Sequence, residues 1–302
     1  MLRPAVDVVV PVAAGPARVR AVLDRLDRLV LRPGDSVVVV DNRGAGVADP
    51  RVVVDAAQAS SYYARNRGAA RGAAPWLLFL DADVDPPADL LDRFFDPAPG
   101  ARTAVLAGAV RDAPPGPQAT LAERWAHRKA SMSQEVTLGH EGWAFAQTAS
   151  CAVRREAFSA AGGFSEGIRS GGDADLCWRL RDAGWDLERR PGAVVVHENR
   201  TRLRAVLRQR ARHGAGAAWL GRRWPGALPR RRWPGLLWWG VRRAGAGLRA
   251  LARGDRDAAA EGLLDGPTVW AFELGRRSSN EVAPGTPRPW RRAIGESARR
   301  RS

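Results

Sequence analysis

The chain has 302 residues, 45% of them hydrophobic, which is enough for one large domain or two small ones around a real core. Its formal charge of +16 raises the question of a nucleic-acid partner, yet residues 1–202 carry 26 basic against 25 acidic side chains, while residues 203–302 carry 22 arginines against 7 acids. The excess belongs to the last third, Lys129 is the only lysine, and nucleic acid is not the expected partner. Cys151 and Cys177 stand alone, with no Cys or His at metal-finger spacing, so they read as core residues. Asp7 and Pro11 break the first apolar run, and no run approaches the roughly 18 residues of a membrane span, so a cytoplasmic protein is expected.

Val6–Val12 reads as a first strand, and Arg18–Val30 as a helix with Val19, Val22, Leu23, Leu26 and Val30 on one face. Val37–Val40 is a second strand, with Asp41 at its carboxyl end, and Arg51–Val54 a short third. The turn after the first strand lacks G-x-G-x-x-G, and G-x-x-x-x-G-K-[ST] is absent, so neither a dinucleotide fingerprint nor a P-loop is present. A helix from Tyr62 to Ala70 carries Arg65, Asn66 and Arg67. It leads into Trp76–Leu80, five apolar residues that suit a central strand covered on both faces.

That strand ends in Asp81, Asp83 and Asp85. Carboxyl ends of strands in open α/β sheets are where ligands bind, and Asp81 and Asp83 at alternate positions can face one hard divalent cation. The same aspartates also suit a turn, and Asp85 before Pro86-Pro87 reads as the N-cap of a helix over Ala88–Phe95.

Ala104–Val110 reads as a further strand, and A-P-P-G-P-Q at Ala113–Gln118 as a loop dividing a nucleotide half, residues 1–112, from an acceptor half, residues 113–200. Beyond it, Ala119–Ala130 reads as helix, Ser131–Gly142 as loop, Phe145–Val153 as strand and Arg154–Ala161 as a helix stopped by Gly162-Gly163. Ser170–Arg181 joins a glycine turn to a helix start holding Asp173, where capping is the plain structural role. Val194–Val196 is a last strand ending in His197, a residue able to ligate a metal there. Residues 201–283 read as a helical basic extension and residues 284–302 as a disordered tail.

Seven segments, V-D-V-V-V-P, V-V-V-V-D-N, N-R-G-A-A-R-G, L-F-L-D-A-D, A-A-G-G-F-S-E, G-G-D-A-D-L-C-W-R-L and A-V-V-V-H-E, stand in the order found in the family 2 glycosyltransferases, which the chain resembles over about residues 5–200. The resemblance implies the GT-A fold, a Rossmann-like, mostly parallel sheet flanked by helices. It also implies a nucleotide-sugar donor, a hydroxyl acceptor and a divalent cation, manganese or magnesium. By the same resemblance Pro11, Asp41, Asn66, Asp81 and Asp83 belong to the donor site; Asp81, Asp83 and His197 serve the metal; and Asp173 is the catalytic base. The family commonly has Glu-Asp before that helix, and here Gly172 replaces the glutamate.

The chemistry agrees with these residues. A cation stabilises the charge growing on a departing diphosphate, a carboxylate takes the proton of the attacking hydroxyl, and one base without a nucleophile implies inversion. The Q-x-x-R-W pattern of processive synthases is missing at Arg124-Trp125 and Arg223-Trp224, so a single transfer is expected.

Two other readings compete. L-F-L-D-A-D-V-D also resembles the nucleophile motif of haloacid-dehalogenase phosphatases, but strands precede it here and that family needs a later lysine. The basic last third alternatively suits a non-enzymatic binder of acidic surfaces. R-Q-R-A-R-H-G-A-G-A-A-W-L-G-R-R-W-P-G-A-L resembles, more loosely, the glycosyltransferases of the mycofactocin pathway, without their membrane spans. Leu237, Val241, Ala244, Leu248 and Leu251 fall on one helical face, Trp238 at its edge and Arg242, Arg249 and Arg253 opposite. This suits a helix lying in an anionic membrane interface, a peripheral attachment through residues 203–302, or equally a helix packed on the domain with a solvated arginine face.

Overall fold

The computed structural model describes residues 3–282, so the expected tail at 284–302 lies outside the described residues. One mixed sheet of eight strands runs through residues 6–197 in the order β3-β2-β1-β4-β7-β6-β8-β5. Its strands are β1 (Val6–Val12), β2 (Ser36–Asp41), β3 (Val52–Val54), β4 (Trp76–Leu80), β5 (Val84–Asp85), β6 (Thr103–Asp112), β7 (Ser150–Arg154) and β8 (Asp186–His197). The first four strands are parallel; β7 enters antiparallel between β4 and β6. The sheet therefore joins residues on both sides of the 113–118 loop.

β4 is buried along its whole length, as its unbroken apolar run requires, because helices cover both faces. Asp7 interrupts β1 without cost in paired groups: its carboxylate meets Arg155, Ser36 Oγ at 2.5 Å and the Ala74 amide at 3.0 Å. Gly72 makes the room, since a Cβ there would lie 2.1 Å from Asp7 Oδ2.

On the sheet lie α1 (Pro16–Leu26), α2 (Ser61–Ala69), α3 (Leu90–Phe94), α4 (Leu121–Arg128), α5 (Gln134–Leu138), α6 (Arg155–Ala160) and α7 (Gly172–Asp182). Three expectations are corrected. α1 stops at Leu26, so Val30 is exposed and its amide turns to the Ala88 carbonyl, while Leu29 takes the buried place. Asp85 is not an N-cap; it pairs with Val196 in the sheet and with Arg28, and Asp89 precedes α3. The expected loop over 131–142 contains α5, capped by Ser133.

After the sheet come α8 (Leu203–Arg223), α9 (Trp233–Ala252) and α10 (Arg256–Gly275). α10 packs on α8, α9 and α4, which ties the last third to the part built on the sheet. Small residues set these distances: a Cβ at Gly275 would lie 2.0 Å from the Ala211 carbonyl oxygen, and one at Gly214 1.9 Å from that of Phe272. No helix among the described residues is long and apolar enough to cross a membrane. Replacing Gly275 by Ala forces α8 and α10 apart and is expected to cost about 1–3 kcal/mol, read as a lower urea midpoint at unchanged slope.

Candidate active site

The chain leaves β4 and turns at once through Asp81, Ala82 and Asp83 into β5, which pairs with the end of β8. That pairing sets His197 beside Asp83, with Nε2 3.5 Å from the carboxylate, while Nδ1 lies 3.2 Å from Asp112 at the end of β6. Burial alone lowers the pKa of His197, but the two carboxylates outweigh it and raise the value to about 9. In turn, burial pushes the Asp83 carboxyl up and the imidazole beside it wins, holding it below the usual carboxylate range.

Asp81 has a different partner, Arg65 of α2. Burial keeps its pKa raised; Arg65 opposes that shift and the charge of Asp83 adds to it. The two aspartates thus share a field but have different partners. Among the described residues no three acidic, histidine or cysteine side chains stand close enough together to hold an ion, so Asp81, Asp83 and His197 do not form a three-residue metal cluster in this structure. The donor set nonetheless suits manganese or magnesium: Asp83 offers hard oxygens, and the Asp112–His197 pair is the orientation in which a carboxylate fixes one imidazole nitrogen and aims the other at a metal.

Asp173 lies half-buried in the first turn of α7, its Oδ1 3.4 Å from Tyr62 Oη and 3.1 Å from its neighbour's amide at Ala174. Burial raises its pKa, with the Ala174 N–H and Arg65 opposing. Gly172 matters here, because a Cβ at that position would stand 2.9 Å from the Tyr62 ring. Tyr62 occupies the space that the family's glutamate would need. Asp175, one residue further, is fully buried and engaged on every side: Ser165 Oγ at 2.8 Å, Arg179 at 3.0 Å, Trp224 Nε1 at 3.1 Å and Arg223 at 2.7 Å.

The remaining expected donor residues surround this centre as framework. Asp41 is fully buried and accepts the amides of Arg43 and Gly44 at 3.0 Å each and that of Ala45. Asn66 grips the 163–166 loop, donating to the Phe164 carbonyl and accepting its amide at 2.9 Å each. Gly163, at φ +71°, leaves only 2.8 Å between a would-be Cβ and Asn66 Oδ1. Pro11 sits half-buried in β1, in register with Val40.

Sequence reasoning passed over Asp112 and four residues beside the site, Arg200, Arg210, Arg212 and His213. A cleft lined by His197, Arg200, Gln209, Arg210 and His213 opens between α4, α8 and the end of β8. Arg200, Arg210 and Arg212 form no ion pair among the described residues, and Arg210 Nε is buried without a partner. The sequence signal was the run R-Q-R-A-R-H one helix after His197; Gln209 and Arg212 keep the spacing of the synthase pattern, with His213 in place of its tryptophan. Lys129, which a dehalogenase-type phosphatase would need here, instead meets Glu261 and Asp265 of α10, each at 3.5 Å.

The comparisons decide the family. A profile for glycosyltransferase like family 2 matches residues 3–216. The chain belongs to that family. It is 32% identical over 230 residues to the pre-mycofactocin glycosyltransferase of Mycobacterium tuberculosis H37Rv, covering 73% of this chain and 48% of that protein. It is 27% identical over 166 residues to the glycosyltransferase AglE of Haloferax volcanii, covering 55% and 53%. The chain thus spans about half the length of the curated relatives it matches. Among solved structures it shares the fold of a mannosyltransferase from Pyrobaculum calidifontis, determined with GDP-mannose and Mn2+, at a TM-score of 0.55 and 17% identity over 91% of this chain and 74% of that one.

Asp175 and Asp173 should separate in a stability measurement. Asp175→Asn leaves Arg179 and Arg223 facing a neutral amide and is expected to cost roughly 2–4 kcal/mol by chemical denaturation. Asp173→Asn is expected to be neutral or slightly stabilising, since burial already disfavours its ionised form.

Proposed function

We propose that the protein moves one sugar from a nucleoside-diphosphate sugar to an acceptor hydroxyl, with inversion and with help from a divalent cation. The observation that carries this reading is the way α2 links the two groups. Its Arg65 pairs with Asp81 at the end of β4, and its Tyr62, one turn earlier, places Oη 3.4 Å from Asp173, so the candidate metal end and the candidate base meet the same helix. The family assignment and the mannosyltransferase with GDP-mannose and Mn2+ support the donor and cation classes.

In this reading Asp83, with Asp81 and His197, holds the cation, which when bound supplies Lewis-acid stabilisation of the departing diphosphate. His197 would ligate through Nε2 after releasing to solvent the proton that the two carboxylates otherwise favour on it, with Asp112 orienting the ring at Nδ1. Arg65 keeps Asp81 in place, and Arg200 and Arg212, whose charges reach Asp83 and Asp81, add positive potential for the phosphates. Asp173 accepts the proton of the attacking hydroxyl at its free carboxylate oxygen; its raised pKa makes it a stronger base than an exposed aspartate. Asp41, Pro11 and Asn66 shape the nucleotide side. The acceptor is a glycan, lipid-linked or small-molecule hydroxyl. The identity to the pre-mycofactocin glycosyltransferase favours, as a second reading, an acceptor of that kind.

Asp83→Ala is expected to abolish turnover of a nucleotide-sugar panel assayed with Mn2+ or Mg2+ while the melting temperature holds. Full activity of that variant in chelator would end the metal assignment. Asp173→Asn is expected to keep donor binding and lower kcat on the order of 10² or more. Because the base works ionised and its pKa is raised, activity is lost as pH falls through a value above the ordinary aspartate pKa of about 4. An acid limb at or below that value, or a normal rate in Asp173→Asn, would remove Asp173 from the role.

A further inference from the structure

α9 lies against α10 through a seam of small residues. Gly240 faces Trp270, where a Cβ would meet the ring at 2.3 Å, and Gly247 faces the backbone of Gly262 and Leu263. Arg243 on the same side reaches Asp265 at 2.9 Å. The larger apolar residues are therefore not the ones that hold the helix to the protein. Leu237, Val241, Leu248 and Leu251 recur at helical spacing on another side and stay in solvent, with Val241 at 59% and Leu248 at 58% exposure. Trp238 at the edge of this stripe is 65% exposed. A run of large apolar side chains in water along one helix needs a covering partner.

The charge around the stripe says what kind. Arg242, Arg249 and Arg253 lie beyond Trp238 on the side of the helix away from the stripe, and Arg230, Arg231 and Arg232 precede the helix; all six are exposed. None of them forms an ion pair among the described residues, and α9 contains no acidic residue at all. A second copy meeting this face would bring two unpaired arginine rows together. Residues 284–302, with six arginines against one glutamate, carry the same sign. A nucleic acid would satisfy the arginines and leave the leucines uncovered. An anionic lipid surface satisfies both, since acyl chains receive the apolar stripe, headgroup phosphates receive the guanidinium groups, and an indole favours the boundary between them.

We propose that α9 docks the enzyme on an anionic bilayer, lying in the plane of the headgroups with Leu237, Val241, Leu248 and Leu251 inserted and the flanking arginines on lipid phosphates. The attachment is independent of the catalytic cluster and leaves α10, α8 and the cleft on the protein side.

The test uses the full chain and vesicles of phosphatidylcholine with or without phosphatidylglycerol. Co-sedimentation is expected only with the anionic vesicles, with partitioning falling by about tenfold or more as salt screens the arginines. Two triple variants divide the contributions: Val241→Ser with Leu248→Ser and Leu251→Ser, and Arg242→Gln with Arg249→Gln and Arg253→Gln. Each should weaken partitioning by roughly tenfold or more while melting temperature and sugar transfer to a soluble acceptor, or donor binding, stay unchanged. No sedimentation at low salt overturns the proposal. So does loss in the arginine variant alone, which marks a purely electrostatic contact. A concentration-dependent dimer that the serine variant dissociates, without lipid binding, assigns the face to a second copy instead.

Discussion

Carboxylates gather at the carboxyl end of the central strand, and the Arg65–Asp81 pair is the contact on which their arrangement depends. Burial raises the pKa of Asp81, as it does that of Asp173. Arg65 opposes both shifts from a side chain that is itself only 4% exposed. It reaches the strand end because α2 lies very close to the sheet: a Cβ on Gly68 would come within 2.4 Å of Val9 and 3.0 Å of Val40. A glycine in the N-R-G-A-A-R-G segment, packed on β1, thus has an electrostatic consequence at the end of the neighbouring strand β4.

The same closeness explains the framework roles of neighbouring residues. Asn66, one step after Arg65, points to the 163–166 loop and fixes it through paired hydrogen bonds. That loop supplies Ser165 to Asp175, and Asp175 collects Arg179, Arg223 and Trp224 from α7 and the end of α8. α7 is consequently held by its second aspartate, which leaves the first one, Asp173, free of any strong partner. The base proposed here has to be accessible and under-committed to accept a proton, and the division of labour within D-A-D is compatible with that role.

The strands and most helices were legible because their signal is local: continuous valines for β1 and β2, five buried residues for β4, Gly162-Gly163 after α6. Asp81, Asp83, His197 and Asp173 were legible as candidates because strand ends and helix starts can be placed from periodicity, and the resemblance ordered them. Asp112 was not, because its importance comes from parallel registry with β8, which puts it opposite His197, and registry is not written in either segment alone. Asp85 misled for the opposite reason. Proline after aspartate is a strong local cap signal, and here a long-range pairing with Val196 and Arg28 overrides it. The Gly172 departure became intelligible only when Tyr62 was seen to fill the space.

The last third completes the site with charge rather than with catalytic groups, and its use of arginine has a physical reason. Arg210 is largely enclosed, and burial lowers the pKa of any cation. His213 beside it shows the effect: burial and the neighbouring arginines push its pKa down to about 3, so it stays neutral. A lysine in that cleft would be open to the same loss, since its ordinary pKa is about 10.4, whereas a guanidinium starts above 12 and keeps its proton. The positive charge near Asp81 and Asp83 therefore comes from Arg65 and His197, with Arg212 and Arg200 adding to it, and a chain with one lysine, committed to Glu261 and Asp265, loses nothing by it.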